Sequence, residues 1–484
     1  MGARQRYLSR RNDGRSVWLN GQVVHDLIGH PAFAGTIDTI GKLLDLQDDP
    51  HVGPSLTFRS PDTGQPVNLA YLVPRSREEL LQKQTAYDIW SERTFGMMSR
   101  LSDYSRSLLT GWYASRHVLG GGDGQFAEKI ERYYRESRDQ EWFSTTALHD
   151  PQVDRSKRSS QLDDPYTHLR IVRETEDGIV VRGAKMIATG APYVDELLVY
   201  PYHRRPQSEE RYATMFAIPA ATPGVHIICR ESFASAERED HPLSSRFDEM
   251  DAVVVFDDAL IPWERVFIKD DPEAIWAVRQ DPVAVALSQQ PTVVRLLHKL
   301  EFVAAIGHEL AATIGAQHFL HVQEKLGELI VQVETVRALL LAAHEQAKPN
   351  PSGVWLPAVE PLTTARNLGS RFYPRAIEIL QQIGAGGFMQ VPSSLAELNG
   401  PLGPFLERYY RGAEADADTR VKLFKLAWDL IGSPLASRHE LYERFYSGDP
   451  VRTYASQYLG YEKQALTDAV WALAKANGRG EGSV

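Results

Sequence analysis

The spacing of apolar positions changes character twice along the chain. In the first third, LAYLVPRSREELLQKQTAYDIWSERTFGMMSRLSDYSRSLLTGWYASRHVL places apolar residues at helical intervals, interrupted at Pro74. LGGGDGQ (119–125) reads as a joint, and FAEKIERYYRESRDQEW as one more helix. From about 145 to 270 the apolar runs become short, rich in Val, Ile and Tyr, and are punctuated by Pro and Gly. HLRIVRE and IVVRGAKMIAT predict a hairpin around a turn containing Asp177-Gly178. DELLVYPY, YATMFAIPA, VHIICR and DAVVVFDDALIPWERVFI continue the texture, which spells a compact β domain, barrel or sandwich.

From about 276 to 470 long helical patterns return. KLGELIVQVETVRALLLAAHEQA sets Leu326, Leu329, Ile330, Val333, Val336, Leu339 and Leu340 on one stripe, wide enough for a bundle interior or an oligomer interface. Asn350-Pro351-Ser352-Gly353 ends that helix, and IGAGGFMQVPSS (383–394) breaks the pattern again. The expected organisation is a mainly helical domain (1–143), a β domain (144–275) and a helical bundle with a tail (276–484).

Composition narrows the chemistry. The 484 residues allow two or three domains. The net charge of −10 disfavours non-specific nucleic-acid binding. No apolar run approaches the ~18 residues of a membrane span. The basic start, MGARQRYLSRRNDGRS, is followed by no apolar run and does not read as a secretory signal. Arg6 occupies the position where a myristoylation signal needs Ser or Thr. A single cysteine, Cys229, excludes a disulfide framework and a cysteine-held zinc or iron–sulfur site. A cytoplasmic protein is expected. GGGDGQ (120–125) and GAGGFM (384–389) lack the spacing of a dinucleotide fingerprint, and no Walker A loop or G-x-S-x-G elbow is present. His318 and His321 in HFLH have no carboxylate arranged to complete a metal site, so no metal is expected.

One polar stretch remains, FSTTALHDPQVDR (143–155), at the seam between the helical and β-rich textures. Together with DGRSVWLNGQVVHDLIGHPAF (13–33), MSRLSDY (98–104), VRGAKMIATGAP (181–192), SRFDEMDAVVVFDDALIPWERVFI (245–268), GAGGFMQVPSS (384–394) and WDLIGSPLASRHELYERFYSGDPVR (428–452), it resembles the oxygenase component of the 4-hydroxyphenylacetate 3-hydroxylase family. The likeness covers nearly the whole chain, in order. It implies an α+β, acyl-CoA dehydrogenase-like fold: an N-terminal helical domain, a middle β-barrel domain and a C-terminal four-helix bundle, in a homotetramer. It also implies FADH2 delivered by a separate flavin reductase, O2 as co-substrate, a C4a-hydroperoxyflavin, and hydroxylation of a small aromatic substrate ortho to a phenol or similar activating group. Related chemistry on an amine, indole or pyrrole, free or carrier-tethered, and oxidative dehalogenation stay open. So do an acyl-CoA dehydrogenase and an inactive flavin-fold scaffold. A dehydratase of the 4-hydroxybutyryl-CoA type needs several cysteines for its cluster, and Cys229 stands alone.

The resemblance assigns residues. Arg100 and Tyr104 match the substrate pair; on a helix their i, i+4 spacing would give them one face. A guanidinium there favours charge on a phenol oxygen, and a tyrosine hydroxyl orients it. Gln152, Val153, Asp154 and Arg155 match a flavin-binding run. Thr189 matches a threonine that bonds flavin near its C4a/N5 edge, and Ser447, Gly448, Asp449, Pro450 and Val451 match a C-terminal flavin contact. GAGGFM (384–389) offers a bundle loop for a similar approach. The family has a histidine at Thr146, and a chlorophenol branch has another where this chain has Gln290. Threonine can donate and accept a hydrogen bond but does not titrate near neutrality. Three solutions are open: His149 or His298 takes over, the substrate carries its own activation, or Arg100 alone ionises a phenol.

Overall fold

The computed structural model describes residues 2–99, 103–121, 124–235 and 237–476. Helices dominate up to Asp139, strands from Ser144 to Ile268, and helices again from Pro272. Two early strands, Ser16–Leu19 and Gln22–Val23, leave the helical part and join the β layer.

The local chemistry of the helices is legible. Pro31–Asp48 starts with proline in its first turn, where the missing N–H costs nothing, and buries Phe33, Ile37, Ile40 and Leu44 along one face. Ser76 accepts from the Glu79 amide to cap Arg77–Arg93, whose first turn carries Glu78 and Glu79 against the helix dipole. Tyr104–Ala114 lies so close to the long helix Pro282–Thr313 that a Cβ on Gly111 would meet the Ala284 Cα at 2.2 Å. That glycine sets how near the helix bearing Tyr104 can approach the bundle.

The β layer is two open sheets. One runs, in spatial order, Gln22–Val23, Ser16–Leu19, Val225–Cys229, Asp251–Pro262, Gly178–Thr189, Arg170–Glu174. The other runs Val266–Ile268, Met215–Pro219, Glu196–Val199, Ser144–Ala147, with the last pair parallel. The predicted hairpin is present, Arg170–Glu174 antiparallel to Gly178–Thr189. The α+β class holds, but the expected barrel does not close among the described residues. The sheets share a core, with Phe216 of one packed on Phe256 of the other; at the seam they are joined where Met186 N donates to the His149 carbonyl at 2.8 Å and Thr145 Oγ1 donates to the Thr189 carbonyl at 2.6 Å. A bulge between Ala252 and Val254 and the left-handed Ile187 (φ +55°) bend the strands at this seam, so no continuous ladder forms.

Helices Pro282–Thr313, Leu320–Glu345, Val359–Gly384 and Ala417–Ile431 form the bundle, with Pro434–Phe445 packed beside them. The stripe on Leu320–Glu345 is narrower than its pattern suggests. Leu326, Leu329, Val333, Val336 and Leu340 are buried, Leu339 is half-buried and Ile330 is exposed. Asn350–Gly353 forms the turn of a small hairpin, Lys348–Pro349 with Trp355–Leu356.

Pro434–Phe445 is fixed by charge. Glu443, fully buried, takes two bonds from Arg295 (2.6 and 3.0 Å) and one from Lys299 (2.9 Å). Lys299 also donates to His439 Nδ1 at 3.0 Å. Burial pushes the Glu443 carboxyl up, but the two cations outweigh it and hold it below the usual range. Glu443→Gln would leave those cations without a counter-charge in a dry interior. It is expected to cost ~3–5 kcal/mol of stability, read as a drop in the denaturant midpoint, because breaking a buried pair strands its partner.

Candidate active site

Thr146 and Thr189, two of the candidate residues, lie on strands beside the open seam. Thr146 is buried on Ser144–Ala147, a strand packed against the helix that starts at Tyr104. Tyr104 is half-buried against a cluster containing Trp112, Leu148 and Tyr200. Arg100 lies outside the described residues. The helix expected to carry both is interrupted, because Asp103 has left-handed backbone (φ +80°) and Tyr104 is the first helical residue. A left-handed residue cannot continue a right-handed helix.

Thr189 is buried, and its hydroxyl donates to Asp251 Oδ1 at 2.6 Å. Asp251 also accepts from Arg438 (Nε 2.9 Å, Nη2 2.8 Å) and from Arg230 Nε (3.1 Å). Burial raises the Asp251 carboxyl, but the Arg438 and Arg230 charges outweigh it and leave it well below the ordinary carboxylate range. An ionised carboxylate only accepts, so the Thr189 proton is committed and its hydroxyl turns only lone pairs elsewhere.

His149 lies just past the strand. Its ring packs on Tyr202 with centroids 4.3 Å apart, and the Arg279 guanidinium covers the same tyrosine at 4.5 Å. The C-terminal segment reaches this cluster. Gly448 has φ +108°, and a Cβ there would sit 2.7 Å from the Tyr202 hydroxyl oxygen, so both backbone and space require glycine. Ser447 Oγ is buried with no hydrogen-bond partner among the described residues. Asp449 accepts from the Val451 amide (3.1 Å) and caps Pro450–Gly460, leaving Val451 exposed. His203 senses this arrangement: burial first, then the charges of Arg452 and Arg205, hold its pKa down.

Gln152, Val153 and Arg155 are exposed in a turn pinned by Asp154, which accepts from the Ser156 amide (3.0 Å) and hydroxyl (2.6 Å). Asp150, within the same polar stretch, has a structural duty. It binds Lys185 (2.7 Å) and Arg205, tying the loop after Tyr202 to the seam. Arg204 in that loop pairs with Glu273, so its basic residues are engaged within the chain.

Geometry bears on the positions of the absent histidines. Gln290, which stands at one of them, donates to His344 Nε2 at 3.1 Å, while its Oε1 is buried with no hydrogen-bond partner among the described residues. His298 lies between Asp88 (3.0 Å) and Glu301 (3.1 Å). Burial alone would lower its pKa, but these two carboxylates raise it to about 9. A histidine already protonated at neutral pH is no base, so of the two candidate histidines His149 is the one left. Tyr202, Arg279, Asp251 and Arg438 were not singled out by sequence; they come from separate segments with no local motif linking them.

The donor set suits a flavin. A buried unsatisfied hydroxyl (Ser447), a glycine that permits close backbone approach (Gly448), and cations at Arg279 and Arg452 fit a planar cofactor with polar edges and negative charge. Helices, an open β layer and a helical bundle around such a seam agree with the acyl-CoA dehydrogenase-like flavoprotein fold that the resemblance implies. The comparisons then give the family. Profiles described as 4-hydroxyphenylacetate 3-hydroxylase N terminal and C terminal match residues 3–268 and 282–475. The oxygenase component of 4-hydroxyphenylacetate 3-monooxygenase from Thermus thermophilus is 41% identical over 461 residues, covering 95% of this chain and 94% of that protein. A crystal structure of such an oxygenase component with FAD and 4-hydroxyphenylacetate superposes with a TM-score of 0.93 at 40% identity, over 99% of each chain. An archaeal 4-hydroxybutyryl-CoA dehydratase from N. maritimus shares the fold (TM-score 0.85, 22% identity, 100% of this chain and 96% of that one). The chain belongs to the 4-hydroxyphenylacetate 3-hydroxylase family.

His298 gives a pH signature. Its pKa is higher folded than unfolded, so its stabilisation is fully present below about pH 6.5 and is lost as pH rises through about 9. Denaturant midpoints are expected to fall across that window, and His298→Gln to flatten the fall.

Proposed function

We propose that this protein is the oxygenase component of a two-component aromatic monooxygenase, taking FADH2 from a separate flavin reductase and hydroxylating an electron-rich ring beside its activating group. It is a flavin-dependent enzyme that uses FAD and O2. The observation supporting the reading is the packing of the Thr146 strand against the Tyr104 helix, beside the Thr145–Thr189 bond across the seam, in a chain whose relative is solved with FAD and an aromatic substrate.

Bound in reduced form, FAD supplies the oxygen activation. Gln152, Val153, Asp154, Arg155, Thr189 and Ser447–Val451 would hold it, with Arg452 and Arg279 answering its negative charge. Arg100 favours charge on the substrate oxygen, and Tyr104 orients that oxygen. Thr146 supplies a hydrogen bond but takes up no proton near pH 7, so activation of the ring falls to Arg100, to the substrate's own substituent or to His149. That favours phenols of low pKa, aromatic amines, indoles or pyrroles.

No helix among the described residues is long and apolar enough to cross a membrane. A cytoplasmic homotetramer completes the proposal. Leu459, Leu466, Val470, Trp471 and Leu473, exposed on the last two helices, give such an assembly apolar surface to bury.

The test supplies FADH2 from an added reductase and follows product and O2 across a panel of aromatics. Hydroxylated product that depends on the reductase is expected. Tyr104→Phe should lower kcat/KM by ~10-fold or more, and Thr146→His should raise it for simple 4-substituted phenols by at least ~10-fold, a fraction of what a placed general base supplies. Peroxide without product for every ring would overturn the reading.

A further inference from the structure

Arg106 lies two residues after Tyr104 and is almost fully buried. Its guanidinium makes three kinds of contact. Nη1 donates to Asp103 Oδ1 at 3.3 Å. Nε and Nη2 donate to the Trp142 and Glu141 carbonyls, each at 3.4 Å. The plane lies over the Phe143 ring at 4.3 Å. Lysine offers a point charge, not this fork and stacking face.

The residues it holds are unusual. Asp103 and Glu141 both have left-handed backbone, with φ of +80° and +51°. Neither is glycine, and such residues cost of order 1–3 kcal/mol each unless their surroundings enforce them. Their positions matter more. Asp103 immediately precedes the helix that opens with Tyr104, and Glu141 lies three residues before the strand that carries Thr146. Two strained turns aim the two sides of the substrate pocket, and a single cation is bonded to both.

We propose that Arg106 is a positioning residue that sets the separation of Tyr104 and Thr146, and so governs substrate binding and coupling without touching the flavin. The inference rests on the proposed function. A displacement of 1 Å in a reacting site can cost ~10²-fold, so a guanidinium that fixes two turns has leverage far from its own atoms. Asp103 is the complementary handle, because asparagine tolerates left-handed backbone but removes the charge.

The experiment compares Arg106→Lys, Arg106→Gln, Asp103→Asn and Tyr104→Phe. For each it measures the KM for an aromatic substrate, product formed per O2 consumed, FADH2 affinity and thermal midpoint. The expected result for Arg106→Lys and Arg106→Gln is a KM raised ~10-fold or more. Product per O2 falls, while FADH2 affinity stays within about twofold. Asp103→Asn should move the same two quantities in the same direction by less, and it decides the matter if the arginine variants do not fold. Unchanged KM and coupling in folded variants would overturn the inference, as would an equal loss of FADH2 affinity, which marks a scaffold role. If Tyr104→Phe moves KM and the Arg106 and Asp103 variants do not, this inference alone fails. If Tyr104→Phe is also silent, the pocket assignment fails with it.

Discussion

The buried carboxylate of Glu443 is the interaction on which the rest depends. It sits on Pro434–Phe445 and is claimed by Arg295 and Lys299, both from Pro282–Thr313. Neither cation could stay in that interior alone, and the carboxylate could not without them. Five residues earlier on the same helix, Arg438 reaches across to Asp251 in the large sheet, and Asp251 in turn accepts a hydrogen bond from the Thr189 hydroxyl. A single line of charge therefore runs from the bundle through the last core helix into the β layer. It delivers the segment after that helix, Ser447–Val451, against Tyr202.

The second constraint is the incomplete closure of the β layer. A barrel would have sealed the strand ends at 145–149 and 186–189 by continuous hydrogen bonding. One main-chain bridge and one side-chain bond join them instead. Unclosed strand ends leave polar groups free of a continuous ladder, and Thr145, Thr189 and His149 lie there. Thr145 turns its hydroxyl to the seam, and Thr146, next to it on the same buried strand, carries no group that titrates near neutrality. His149 packs tilted against Tyr202, and His298 is spent on two carboxylates. Of the two candidate histidines, His149 alone is left for proton uptake.

Much of the fold was legible from periodicity. The helical, strand-rich and helical textures each correspond to real elements, and the Asp177-Gly178 turn forms where its residues predict it. Two features were not. The 100–104 stretch reads as a helix because its spacing is helical, yet Asp103 is left-handed and paired with Arg106, which in turn is anchored to the carbonyls of Glu141 and Trp142 by contacts that no local pattern encodes. Barrel closure depends on long-range strand register, and alternation within a strand does not report it. In the site, Gly448 was visible as a small residue in a matched motif, whereas the reason for it, the Tyr202 hydroxyl 246 residues earlier, was not. Asp150 drew attention as a polar residue in a suggestive run, and its partners show it to be a brace.

The central claim is that segments far apart in sequence form one site for reduced flavin. Hydrogen exchange with and without anaerobically reduced FAD tests it most directly. The account predicts that the flavin slows amide exchange in 145–155 and in 446–452 together, since one ligand contacts both. Protection confined to one of these segments, or absent from both, would contradict it.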